Sequence, residues 1–135
     1  MGRLALAVML LLAAVACGSP AEDSATPARA DSSPQLLAPA EFATAIADPE
    51  RVTVNVHVPF EGELPHTDLS IPFDRIKQQH MRMPADRSVP IAVYCMSGSM
   101  SAEAARILTS LGYTDVIDLD GGMEAWQASG RSVLR

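Results

Sequence analysis

A chain of 135 residues, 48% hydrophobic and 19% charged, allows one domain and leaves little room for a second. A formal net charge of -6, a single lysine (Lys77) and the lack of any Lys/Arg cluster argue against nucleic acid as a partner. The acidity reads as a solvated surface, and the sequence carries no P-loop, zinc-spaced ligand pair or Ser-His-Asp pattern, so no cofactor and no metal are expected.

Residues 1–17 read as a targeting segment. Arg3 gives a short basic start, and Leu4 to Ala16 is an apolar run of 13 residues. A spanning helix needs roughly 20, whereas the core of a signal peptide is this short. The run ends in Ala14-Val15-Ala16-Cys17-Gly18, which resembles the lipobox of bacterial lipoproteins. That resemblance implies a lipid on Cys17 and a protein anchored in the cell envelope. Cleavage after the Ala14-Val15-Ala16 triplet, giving a periplasmic or secreted protein, is the alternative. Residues 18–33, rich in Ala, Ser, Pro and Asp, read as a flexible tether. The folded domain is expected over 34–135.

Strand and helix signals alternate from there. Leu36-Leu37 fits a short strand, and Pro39 to Ala47 a helix stopped by Asp48-Pro49. Arg51 to Val58 has apolar residues at every second position, the period of a strand. Leu69 to Pro72 fits another strand, Phe73 to His80 a helix, and Val89 to Tyr94 a buried strand. Ser101 to Leu111 is an amphipathic helix with Ala104, Ile107, Leu108 and Leu111 on one stripe and Gly112 placed to end it. Asp115 to Leu119 and Gly122 to Ser129 complete the series as strand and helix. Such alternation predicts an α/β domain with a mainly parallel sheet.

The chemistry centres on Cys95, the one cysteine outside the targeting segment. It follows the most apolar strand and precedes Met96-Ser97-Gly98-Ser99-Met100-Ser101 and a helix. Strand, small-residue loop and helix N-terminus together point backbone N–H groups at an anion and favour a negatively charged sulfur. An inert core cysteine is the competing reading, but such a residue belongs inside a strand rather than at its exit. Ser97, Ser99 and Ser101 can cap the helix or hydrogen-bond to the sulfur. His57 and Asn55 end a neighbouring strand at the same sheet edge, where His57 can serve as a base or as a hydrogen-bonded structural residue. Glu61, Glu63, His66, Thr67 and Asp68 are candidates for the same mouth.

The segment Val93-Tyr94-Cys95-Met96-Ser97-Gly98-Ser99-Met100-Ser101 resembles the active-site loop of the rhodanese family, written Y-C-x-x-G-x-R-S. Leu119-Asp120-Gly121-Gly122-Met123-Glu124-Ala125-Trp126 resembles that family's closing L-x-G-G-x-x-A-W, and Ile71-Pro72 its I-P. The resemblance covers about Leu36 to Gly130. It implies a single rhodanese-like domain with about five strands and helices on both faces of the sheet. It also implies a cysteine that takes a sulfane sulfur as a persulfide and passes it to a thiol acceptor. A monomer acting on a small sulfur donor is expected.

The departures bear on the donor. Met96 and Met100 stand where the family carries basic residues, and Asn55 and His57 replace its Asp and Arg; Glu63 replaces a His. Thiosulfate thereby loses a direct partner, which points to a less charged donor. The two methionines can pack the loop, form an apolar lip for a persulfide, or join Cys95 around a soft metal such as Cu(I). Three functions follow in order: a sulfurtransferase or sulfane-sulfur carrier, a non-catalytic binding module of the same fold, and a cysteine phosphatase. The last lacks its phosphate-clamping Arg, since none follows Cys95 before Arg106.

Overall fold

The computed structural model describes residues 33–135. The targeting segment expected over 1–17 and, but for Ser33, the tether expected over 18–33 lie outside the described residues. Five short strands form one sheet: β1 (Gln35–Leu37), β2 (Val52–Asn55), β3 (Leu69–Ser70), β4 (Ile91–Tyr94) and β5 (Val116–Leu119). Their order is β1-β5-β4-β2-β3, and every neighbouring pair is parallel. A parallel sheet requires cover on both faces, and the sequence supplies it. Helices α1 (Pro39–Ile46) and α3 (Gly122–Ala128) bury Phe42, Ile46, Met123 and Trp126 on one face, against Ala92, Tyr94, Ile117 and Leu119. Helix α2 (Ser99–Ser110) buries Ala104, Ala105 and Leu108 on the other, against Val54, Ile91, Val93 and Val116.

Several boundaries differ from the expectation, and three of the differences bear on the site. The strand expected over 51–58 stops at Asn55, because the Asn55 side chain accepts the His57 N–H at 3.0 Å and turns the chain away. Its alternation is also no sign of a half-exposed strand, since Thr53 and Asn55 are as buried as Val54. The helix expected over 73–80 is two short 3-10 turns, Phe73–Arg75 and His80–Arg82. No side chain caps either turn, and between Phe73 and His80 only Ile76 is fully buried, too little to hold so short a helix regular. Helix α2 begins at Ser99, two residues earlier than expected, so the Cys95 loop is confined to 96–98.

The connection leaving β2 runs to β3 on one side, and the connection leaving β4 runs to β5 on the other. The carboxyl ends of β2 and β4 therefore flank the point where the strand order reverses, the place where α/β sheets form their sites.

Candidate active site

Cys95 leaves β4 at that point with 1% of its surface exposed. Its loop is short because α2 starts at once, with Gly98 as N-cap at φ 101°. The Gly98 N–H donates to Cys95 Sγ at 3.0 Å, so a backbone amide at the positive end of the helix faces the sulfur. The thiol in turn lies 3.4 Å from Ser101 Oγ, and that hydroxyl donates to the Gly98 carbonyl at 3.2 Å. Of the three serines weighed for this role, Ser101 reaches the sulfur, while Ser97 and Ser99 face solvent. No side chain caps α2.

The first turn of α3 holds the loop from beneath. Met123 N–H donates to the Cys95 carbonyl at 2.9 Å and Glu124 N–H to that of Met96 at 3.0 Å. This close approach requires glycine at 122, where a Cβ would lie 2.5 Å from both of those carbonyl oxygens. The Gly-Gly pair noticed in the sequence therefore supports the Cys95 loop from another element.

Asn55 and His57 do not hydrogen-bond to this loop among the described residues. Asn55 instead holds the chain after β2, donating to the Gly62 carbonyl at 2.9 Å while accepting from His57 N–H. His57 Nε2 lies 2.5 Å from Glu61 Oε2, and its buried Nδ1 has no partner. An acid–imidazole contact thus involves the histidine that stands in place of the family's Arg. Tyr94 fixes the same stretch further on: its hydroxyl accepts the buried Leu64 N–H at 3.0 Å and meets Thr67 Oγ1 at 2.7 Å. Burial pushes that phenol up to about 12, against the two hydrogen bonds.

Other sequence candidates are dispersed. Asp68 accepts the Thr53 N–H at 2.8 Å, and with His66 it lines a hollow against the Ile46–Arg51 turn, away from Cys95. Glu63 is tied through its backbone to Leu134. Met96 packs with the α1/α3 layer and Met100 with the α2 layer. The two thioethers are drawn to opposite faces of the sheet and do not converge with Cys95 on a soft metal.

Two features escaped the sequence reading. Asp118, 3% exposed, sits on β5 under α2 with Oδ1 unpartnered. Burial pushes its carboxyl up to about 6, moderated by the Ser101 hydroxyl and the Leu119 amide and reinforced by the charge of Asp120. A strand reading Val-Ile-Asp-Leu gives no hint that the acid faces inward. The second is a cavity of about 380 Å³ lined by Phe60, Glu61, Gly62, Met96 and Arg135. It adjoins the Cys95 loop through Met96, and Phe60 stands 59% exposed at its rim.

Comparison with known proteins places these features. The rhodanese-like domain family matches residues 51–129. A thiosulfate sulfurtransferase, GlpE, of Pseudomonas fluorescens is 34% identical over 91 residues, spanning 67% of this chain and 84% of the relative. Among solved structures, a rhodanese-related protein from Thermoplasma volcanium superposes with a TM-score of 0.63 at 25% identity, over 74% of this chain and 97% of its own. An NAD-dependent persulfide reductase from A. fulgidus shares 31% identity with a TM-score of 0.52, over 58% of this chain and 14% of that larger one.

Proposed function

The chain belongs to the rhodanese-like family, and on that premise we propose that it is a thiol-dependent sulfurtransferase or sulfane-sulfur carrier that works through a persulfide on Cys95. The observation that carries the reading is the Gly98 N–H aimed at Cys95 Sγ from 3.0 Å at the start of α2. Such a donor stabilises negative charge on the sulfur, whether thiolate or persulfide. In the first half-reaction Cys95 Sγ attacks the outer sulfur of the donor, the donor's bond to that sulfur breaks, and the donor departs with the electron pair. In the second, an acceptor thiolate takes the outer sulfur and Cys95 is returned as thiolate.

The donor is proposed to be other than thiosulfate. No basic side chain lies in the 96–101 segment, so within that segment a dianion finds only backbone amides and the helix dipole. Intact-mass analysis of the protein after exposure to thiosulfate, inorganic polysulfide and glutathione persulfide tests both parts. The expected result is gain of one sulfur atom from the last two, abolished by Cys95→Ser. No gain from any of the three would favour a binding module that uses the same cradle without chemistry.

We also propose that Cys17 carries the lipid that fixes the domain to the cell envelope, with residues 18–33 as tether. Two or more acyl chains give stable attachment where one is marginal. Among the described residues no helix is long and apolar enough to cross a membrane. Cys17→Ala is expected to move the protein out of the membrane fraction or leave it unprocessed. Wild-type protein that is wholly soluble and free of lipid mass would sink the anchor.

A further inference from the structure

The cavity beside Met96 has the parts of a substrate pocket. At about 380 Å³ it falls in the range of small-molecule sites. Phe60 and Met96 give it an apolar wall, and Glu61 and Arg135 give it one charge of each sign. Glu61 is held by His57 through Oε2, which leaves its second oxygen without a hydrogen bond among the described residues. Arg135 makes no ion pair or hydrogen bond among them.

The position of Arg135 is built by the fold. The segment before it is docked by Glu63 N–H to the Leu134 carbonyl at 2.9 Å and Leu134 N–H to the Glu63 carbonyl at 2.8 Å. The docking depends on Gly62, whose absent Cβ would stand 2.7 Å from Leu134 O and Val133 Cγ1, and 3.4 Å from Arg135 Cγ. The cation missing from the 96–101 segment is thus present at the cavity wall, brought there by the pairing of Leu134 with Glu63.

We infer that this cavity is the donor subsite and that it takes a small zwitterionic organic persulfide of amino-acid type, its carboxylate on Arg135, its ammonium on Glu61 and its carbon chain against Phe60 and Met96. The inference rests on the reading of Cys95 as a sulfur acceptor and adds the class of molecule that supplies the sulfur. The transfer balances without an oxidant. Cys95 thiolate attacks the terminal sulfur of R–S–SH, the donor S–S bond breaks, R–S⁻ leaves with the bonding pair, and Cys95 holds the persulfide with its proton. Inorganic thiosulfate has no ammonium for Glu61 and no carbon chain for the apolar wall.

Rapid-quench mass analysis of Cys95 loading on the full chain tests this with four donors. They are cysteine persulfide, its N-acetyl derivative, its methyl ester and neutral hydroxyethyl persulfide. Cysteine persulfide is expected to half-saturate at a concentration about 10-fold lower than the other three, the size of one hydrogen bond to a charged group. Arg135→Gln should remove the advantage over the ester, Arg135→Lys should restore part of it, and Glu61→Gln should remove the advantage over the N-acetyl donor. In each of these variants, loading by the hydroxyethyl donor, which carries neither charged group, should change less than loading by cysteine persulfide. Loading that ignores donor charge, or an Arg135→Gln that slows all four alike, overturns the subsite and leaves the carrier reading standing. Failure of every donor to load Cys95 overturns both.

Discussion

Two loops leave the carboxyl edge of the sheet side by side and are held in opposite ways. The Cys95 loop is fixed by main chain: Gly98 N–H on the sulfur, and Met123 and Glu124 N–H on the loop carbonyls. The stretch after β2 is fixed largely by side chains, Asn55 on Gly62 and His57 and Tyr94 on Leu64 and Thr67, beside the main-chain bridge of Glu63 to Leu134. A cradle made of backbone leaves its own side chains free to vary, so Met96, Ser97 and Ser99 can change without loss of the sulfur's environment. A loop held by side chains sets its shape through particular residues, and that is where substrate selection can be encoded.

The strongest way to break this contrast is Gly122→Ala, because its Cβ would strike two loop carbonyls. We expect a loss of about 3 kcal/mol or more, in the range of backbone and overpacking lesions. Chemical denaturation should show it, together with failure of Cys95 to take up sulfur. Tyr94→Phe attacks the other loop. It strands the buried Leu64 N–H and should cost about 2 kcal/mol, while Cys95 loading by a neutral donor persists in the folded fraction. Equal loss of loading in both variants would erase the distinction between the loops.

Asp118 tests what lies beneath the cradle. Its carboxyl is pushed up to about 6 by burial, above an unfolded value of about 3.9. The folded state therefore holds the proton more tightly. The group's contribution is most favourable below about pH 4 and is lost as pH rises through about 6. Asp118→Asn should flatten that slope and raise stability at pH 7 by about 1–2 kcal/mol, read from denaturation midpoints across pH. An unchanged slope would mean that the acid is well solvated in the native state. The smallest effect concerns the variable side chains. Met96→Arg should raise sulfur transfer from thiosulfate about 10-fold, or about 1.4 kcal/mol, with a salt dependence absent from the wild type. Met100 is less suitable for such a charge, since it packs against the α2 layer. A wild type that already uses thiosulfate as well as the variant would remove Met96 from the account of donor choice.

How far the sequence revealed this arrangement depends on the range of the interactions. The strand, the Cys95 loop and α2 were legible because strand hydrophobicity, small loop residues and helical periodicity are all written within 25 residues of one another. The 73–80 segment misled because its local pattern is helical, whereas its hydrogen bonding was settled by sparse burial around Ile76. Asp118 and Arg135 were silent for a different reason. The environment of Asp118 comes from α2 crossing β5, and that of Arg135 from a single bridge between Glu63 and Leu134. Pairings made by isolated residues over such separations leave no periodic trace.

The depth of the sulfur also decides which cysteine chemistry the domain avoids. A disulfide between two chains needs their Cβ atoms about 3.5–4.5 Å apart, and Cys95 has only 1% of its surface open. Two folded copies cannot bring their backbones that close across the Met96–Gly98 loop and the α3 turn that supports it. The domain can therefore keep one odd thiol without covalent dimerisation, excluding its own twin by shape.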